Sequence, residues 1–226
     1  VYVVPNFHNP SGATMSLARR RHLADLADQH DLLIVEDDPY GAIRFAGEPL
    51  PPIASFTDRV VYLSTFSKIV APGFRVGWMI GPPEVMSWVA RAKQAADLHT
   101  SSFAQFLLAN VVQQPGWLDA QKARIVPMYR DRCVALADAL EAALGDRISF
   151  HRPDGGMFLW TRFTDIPDTT ALLQHALREG VAFVPGNAFT IDQVPDSKAR
   201  FSYSTLSPAQ LGTAVQRLAR AVDAAS

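Results

Sequence analysis

Two apolar runs in this chain end abruptly in polar residues, and their endings limit what the chain can fold into. "LLIV" at 32–35 stops at "EDDPYG", and "VVYL" at 60–63 stops at "STFSK". Both are too short for buried helices and lack the alternation of a half-solvated strand. They read as strands of a parallel sheet covered on both faces. "VYVV" at 1–4 reads as another buried strand. Between it and the next, "SLARRRHLADLADQH" has apolar residues at helical spacing, with Leu17, Leu23, Leu26 and Ala27 on one face and Ser16 as the cap. Strand, helix, strand predicts an α/β fold, in which ligands gather beyond the carboxyl ends of the strands. Asn9, Asp37, Tyr40 and Lys68 all fall just past such ends.

"GFRVGWMIG" at 73–81 reads as a further buried strand. From Pro83 to about Ala143 the pattern is helical, broken at "HTSS" and "QQPGW", with one helix over 117–144 bent at Pro127. After Gly145, "ISFHRPDGGMFLWTRF" predicts a hairpin-like strand pair. "TTALLQHALREG" predicts a helix, "VAFVPG" and "ARFSYS" short strands, and Ser207 and Pro208 open a last amphipathic helix. A boundary near residue 120 would separate a sheet domain, 1–120, from a smaller α+β domain, 121–226. The chain has no initiating Met and opens inside a strand, so a fragment or processed chain is expected. A net charge of −1 argues against nucleic acid or a membrane surface as the main partner. The single cysteine, Cys133, fits a reducing, cytoplasmic compartment.

The polar strand ends suggest specific chemistry. An amine between buried strands can lose its charge by desolvation and attack a carbonyl. Ser64, Thr65 and Ser67 offer hydroxyls beside Lys68, and the Pro72–Gly73 turn can bring back the forked donors of Arg75, a combination that suits a phosphate. A solvated Lys68 and an ion-paired Arg75 remain the alternative on this stretch alone. Asp37 could hold a proton on a pyridine nitrogen, with Tyr40 and Asn9 donating to a ring oxygen. Capping, a rim aromatic and an Asx-turn are the alternatives for these three. His8 and His99 read as hydrogen-bonded loop residues, and Met157, Phe158 and Trp160 as core of the smaller domain. "RRR" at 19–21 reads as a solvated helix face. Neither CxxC nor HExxH occurs, so no metal is expected.

Taken together, "PNFHNPSG", "EDDPYG", "STFSKIVAPGFRVGW", "DGGMFLW", "VPGNAF" and "RFSYS" resemble the class I/II aminotransferases of the fold-type I pyridoxal-phosphate enzymes. The nearest branch includes 2-aminoadipate, kynurenine and aromatic aminotransferases. The motifs correspond to the later part of a family member. The resemblance implies that Lys68 forms the internal aldimine with pyridoxal 5'-phosphate and then carries the proton of the 1,3-shift. It gives Asp37 to the pyridine nitrogen, Asn9 and Tyr40 to the phenolic oxygen, and Thr65, Ser67 and Arg75 to the phosphate. Arg200 takes the substrate α-carboxylate, beside Asn9. An amino acid and a 2-oxo acid, 2-oxoglutarate, are the implied substrates, and a homodimer the implied assembly. The 226-residue chain alone is expected to turn over nothing measurable. Two other functions share the scaffold: the effector domain of a winged-helix transcription regulator, which alone would bring nucleic acid in, and a lyase.

Overall fold

A computed structural model describes residues 1–225. The chain divides into two compact units, one of Val1–Asn6 with Ala13–Val126, the other of Phe7–Gly12 with the chain from Pro127 on.

The first unit is built on a four-stranded sheet of order β1 (Tyr2–Val3), β2 (Ile34–Asp37), β3 (Val60–Thr65) and β4 (Gly77–Ile80). The first three strands are parallel, but β4 is antiparallel to β3, with Tyr62 opposite Ile80 and Thr65 opposite Gly77. The sheet is therefore mixed, parallel over β1–β3 and antiparallel at β4. Residues 66–76 fold back as tight turns and leave no room for a crossover helix, so the chain must return antiparallel. Burial also differs from expectation at both edges. Tyr2 is 62% exposed and Ile80 64%.

Helix α1 (Leu17–Gln29) starts at Ser16, whose hydroxyl accepts from the Arg19 amide. Its inward face is narrower than the leucine pattern suggested. Ala24 and Ala27 pack on Ile34, Ile53 and Val60, while Leu23 is only partly buried. The third inward residue is Arg20, with 0% exposure. Only Arg19 and Arg21 of the arginine run are solvated. The reason is register, since positions 20, 24 and 27 share one helical face. Water is replaced around Arg20 by the carbonyls of Met15, Pro51 and Pro5 at 3.0, 3.0 and 3.1 Å and by Asn6 Oδ1 at 2.6 Å. Glu36, also fully buried, accepts from the amides of Ile53 and Ala54, which open a 3-10 turn. Helices α2 (Pro83–Asp97), α3 (Ser102–Val112) and α4 (Trp117–Leu144) follow, and Pro127 lies inside α4 as expected. Among the described residues no helix is long and apolar enough to cross a membrane.

The second unit carries an antiparallel sheet of order β5 (Ile148–Phe150), β6 (Phe158–Phe163), β8 (Lys198–Ser202) and β7 (Val184–Pro185). Strict alternation along β6 turns Leu159, Thr161 and Phe163 inward and leaves Phe158, Trp160 and Arg162 on the other face. Met157 is core, but Phe158 and Trp160 are not, against expectation. Helices α5 (Thr169–Arg178) and α6 (Pro208–Ala225) bury Leu172, Ala176, Leu211, Val215, Leu218 and Val222. Ser207 and Gln210 cap α6 reciprocally. Cys133 is free and buried, and burial pushes its thiol up to about 11. Gly156, with φ of 81°, turns the chain into β6, and a Cβ there would sit 2.7 Å from that of Phe7.

Replacing Arg20 with Met strands three carbonyls and an amide oxygen, and should cost about 3 kcal/mol of unfolding free energy in urea titration. The same change at Arg19 should cost less than about 0.5 kcal/mol. Burial raises the pKa of Glu36 against the opposing pull of the Ile53 and Ala54 amides and of Arg20. The folded state thus holds this proton more tightly than the unfolded chain. The advantage of the wild type over Glu36→Gln should therefore shrink as pH rises from the ordinary glutamate range toward neutrality. An advantage that grows with pH would contradict the assignment.

Candidate active site

Asp37 is the last residue of β2 and stands in register with Leu63 of the parallel strand β3. Two residues further along β3 comes Thr65, so the acid and the segment carrying Lys68 leave adjacent strands at the same edge of the sheet. The Asp37 carboxylate is engaged on one side, where Oδ2 accepts a 2.6 Å bond from the Tyr2 hydroxyl. Tyr2 pairs with Val35 on the neighbouring strand, two positions behind Asp37. Desolvation, the hydrogen bond to Asp37 and the charges of Asp37 and Tyr40 push its phenol up to about 12. The sequence reading missed this partner. Tyr2 looked like an ordinary strand residue, and only the β1–β2 register reveals its reach. Tyr40 is itself 6% exposed, in the turn that follows β2.

Past Thr65 the chain curls. The amides of Ile69 and Val70 both bond the Phe66 carbonyl, and the side-chain amide of Gln121 holds the Ile69 carbonyl at 3.0 Å. Phe66, Val70 and Phe74 pack against Val76, Ala104 and Leu108. That packing fixes the turn by its apolar residues. Lys68 lies on it half-buried, between the residues that anchor it. The Thr65 hydroxyl has a structural task here, donating to the Val76 carbonyl and accepting from the Ser67 amide, both at 3.1 Å. A 3-10 turn, Pro72–Phe74, then brings the chain to Arg75, which adopts the left-handed region at φ 53°, ψ 39°. A residue with a side chain is strained there relative to glycine.

In the second unit Arg200 lies on β8, opposite Trp160 of β6 and Val184 of β7. Its guanidinium stands 4.2 Å from the ring centre of Phe158 and 5.1 Å from that of Phe189. Phe189 in turn meets Trp160 edge-on at 5.4 Å. Nη1 of Arg200 donates to Asn9 Oδ1 at 2.6 Å. That bond fixes which way the amide of Asn9 faces and leaves its NH₂ as a donor. The aromatic rings hold the planar cation in place, which suits a bidentate grip on a carboxylate. His8 bonds Ser11 and His99 the Thr100 carbonyl, as expected of loop histidines. Burial lowers the pKa of His8. Among the described residues no group of three or more His, Cys, Asp or Glu side chains is placed to hold a metal.

The edge of the first sheet thus offers a carboxylate, an amine, hydroxyls and a guanidinium. Such a donor set suits a ligand with a cationic ring nitrogen, a carbonyl and a phosphate.

Comparison with known proteins gives the family. The model of the family "Aminotransferase class I and II" matches residues 1–218. Aromatic-amino-acid aminotransferase 1 of Thermococcus litoralis is 39% identical over 224 residues, 98% of this chain and 54% of that protein. The structure of α-aminoadipate aminotransferase from Thermus thermophilus, solved with N-(5'-phosphopyridoxyl)-L-leucine, superposes with a TM-score of 0.93 at 33% identity. It is matched over 99% of this chain and 58% of its own. A Bacillus subtilis HTH-type transcriptional regulator is 30% identical, over 97% of this chain and 45% of the regulator. The chain therefore spans about half the length of the curated relatives it matches.

Relief of the Arg75 backbone should make Arg75→Gly more stable than wild type by up to about 1 kcal/mol in urea unfolding, while inorganic phosphate binds it more weakly. Destabilisation by the glycine would show that the left-handed conformation is not strained here.

Proposed function

The chain belongs to the class I and II aminotransferase family, and on that premise we propose that it carries the cofactor- and substrate-holding residues of a pyridoxal-phosphate-dependent aminotransferase. The enzyme would move an amino group between an L-amino acid and a 2-oxo acid, with 2-oxoglutarate as the acceptor. One observation carries this proposal. Asp37 and the Thr65–Lys68 turn leave two parallel, registered strands at one edge, so an acid and an amine are offered together to a single flat ligand.

The donor set fits pyridoxal phosphate group by group. When bound, that cofactor supplies a protonated ring able to accept the electron pair left behind as the α-proton departs. Asp37 would keep the proton on the ring nitrogen, its second oxygen steadied by Tyr2. Lys68 would attach to the aldehyde through Nζ and, once displaced by substrate, take the proton from the substrate Cα and return it to the cofactor carbon. Positioned acid–base transfer of this kind is worth roughly 10² to 10⁴ in rate. Ser67 and Arg75 would hold the phosphate. Thr65 would join them by exchanging its bond to the Val76 carbonyl. Tyr40 and the NH₂ of Asn9 would donate to the phenolic oxygen. Arg200 would take the α-carboxylate, and the likeness to aromatic and α-aminoadipate aminotransferases supports an aromatic or 2-aminoadipate side chain. The first unit would then belong to the large cofactor domain, with the small domain beginning near residue 121. A cytoplasmic homodimer completes the proposal.

The likeness to an HTH-type regulator supports a second function, in which the same residues sense a ligand without turnover. The two separate in one experiment on the full-length protein. It is incubated with pyridoxal phosphate, reduced with borohydride, digested and mapped by mass spectrometry, and in parallel assayed for amino-acid-dependent glutamate from 2-oxoglutarate. The enzyme should give a pyridoxyl group on Lys68 together with glutamate. An adduct without glutamate would favour the regulator or a lyase. No adduct on folded protein would refute the cofactor site, and clear turnover by the isolated 226-residue chain would contradict the need for further residues.

A further inference from the structure

Asp38 stands between two residues assigned above to the cofactor, Asp37 and Tyr40, yet its own polar groups are turned toward the protein. Its amide donates to the Leu63 carbonyl at 2.8 Å, and its carbonyl accepts from the Ser64 hydroxyl at 2.9 Å. Oδ1 accepts from the Gly41 amide and Oδ2 from the Tyr62 hydroxyl, both at 2.8 Å. Three of these partners, Tyr62, Leu63 and Ser64, are consecutive residues of β3. Backbone register between β2 and β3 ends at Asp37 and Leu63. Beyond it, Asp38 continues the attachment through its own amide and carbonyl, and its side chain adds the bond to Tyr62 and ties in the turn at Gly41. Tyr62 also stacks at 5.5 Å on Trp78 of β4, so the clamp reaches the third strand. Burial, followed by the charge and hydrogen bond of Asp38, raises the pKa of the Tyr62 phenol and keeps it a donor.

Gly41 supplies an independent sign that the clamp is built. It does not sit in the left-handed region, so its lack of a side chain answers a need for space. A Cβ there would stand 2.7 Å from Asp38 Oδ1 and 2.9 Å from Asn6 Nδ2, and closer still to Asp38 Oδ2. Asn6 is the same residue whose Oδ1 accepts from the buried Arg20. The Asp38 carboxylate therefore rests on a glycine that no larger residue can replace without displacing it.

We infer that Asp38 is a positioning residue, which locks the carboxyl end of β2 to β3 and so sets where the Asp37 carboxylate stands relative to the Lys68 turn. The inference rests on the function proposed above. A rigid pyridine ring fixes the separation of its nitrogen and its aldehyde carbon. The acid and the amine that address them must then be held to within about 0.5 Å of one arrangement. Backbone bonding between the strands stops with the Asp38 amide, and the Asp38 carboxylate, held by Tyr62 and Gly41, carries the restraint past that point. Glycine at 41 and tyrosine at 62 are then part of the same device, although neither touches the ligand.

The test uses the full-length protein and the variants Asp38→Asn, Tyr62→Phe and Gly41→Ala, with Val215→Ala, buried on α6 of the second unit, as a core control. Three quantities are read: the Kd for pyridoxal phosphate, the visible circular dichroism of the bound cofactor, and the Tm of the apoprotein. Asp38→Asn should weaken binding by about tenfold or more and diminish the visible dichroism. Tyr62→Phe and Gly41→Ala should do the same to a lesser degree. Val215→Ala should lower Tm without changing the dichroism. If Asp38→Asn does not fold, the other two clamp variants decide by the same readings. Wild-type affinity and dichroism in the clamp variants, or losses that follow Tm as in the control, would overturn the positioning role. A wild type without a pyridoxyl adduct on Lys68 would instead defeat the proposed function itself, so the two failures are distinguishable.

Discussion

A guanidinium without water holds the first unit together. Arg20 has no exposed surface, and a cation so placed is tolerable only when each donor finds an acceptor. It finds them on Pro5 and Asn6 after the first strand, on Met15 before the first helix and on Pro51 before the 3-10 turn. These segments are far apart in sequence and irregular in conformation. Without Arg20 their carbonyls would be buried and unmet. With it, the three segments are tied to one helix face through four hydrogen bonds.

The consequences can be followed outward. Asn6, held by Arg20, stands beside the space that Gly41 leaves open for Asp38. Asp38 grips β3, and the strand end carries the Lys68 turn. Glu36, one residue before Asp37, ties β2 to the turn at Ile53 and Ala54. A layer of buried charge and hydrogen bonds therefore supports the rim from beneath, while Asp37 and Lys68 lie above it. The second unit achieves rigidity by other means. There Arg200 is set by aromatic rings and by one amide, on the face of the sheet opposite the core.

Much of this was legible in the residues. Continuous apolar runs ended by acids and hydroxyls identified β2 and β3 and where they end, and Ser16 and Ser207 marked their helices. The buried Arg20 was not legible, because a run of three arginines is ordinarily solvated and only the helical phase separates the middle one from its neighbours. The direction of β4 followed from the shortness of residues 66–76, a cue stronger than the apolar content that suggested another buried strand. Trp160 and Phe158 were misjudged because aromatic content outweighed alternation, although residues 157 to 163 follow a strict period of two. Asp38 is an acid before a proline, and nothing in that stretch of sequence marks a task for it. Its task appears only once Tyr62 and Ser64 are seen beside it.

The claim at the centre is that the ends of β2 and β3 form one rim for a pyridine ring, with Asp37 at its nitrogen. The most direct measurement is nitrogen-15 NMR of pyridoxal phosphate labelled at the ring nitrogen and bound to the full-length protein, compared with the same cofactor bound to Asp37→Asn. The ring nitrogen should be protonated in the wild type and should lose that proton in the variant. An identical protonation state in both would contradict the assignment of Asp37 and the arrangement of the rim built on it.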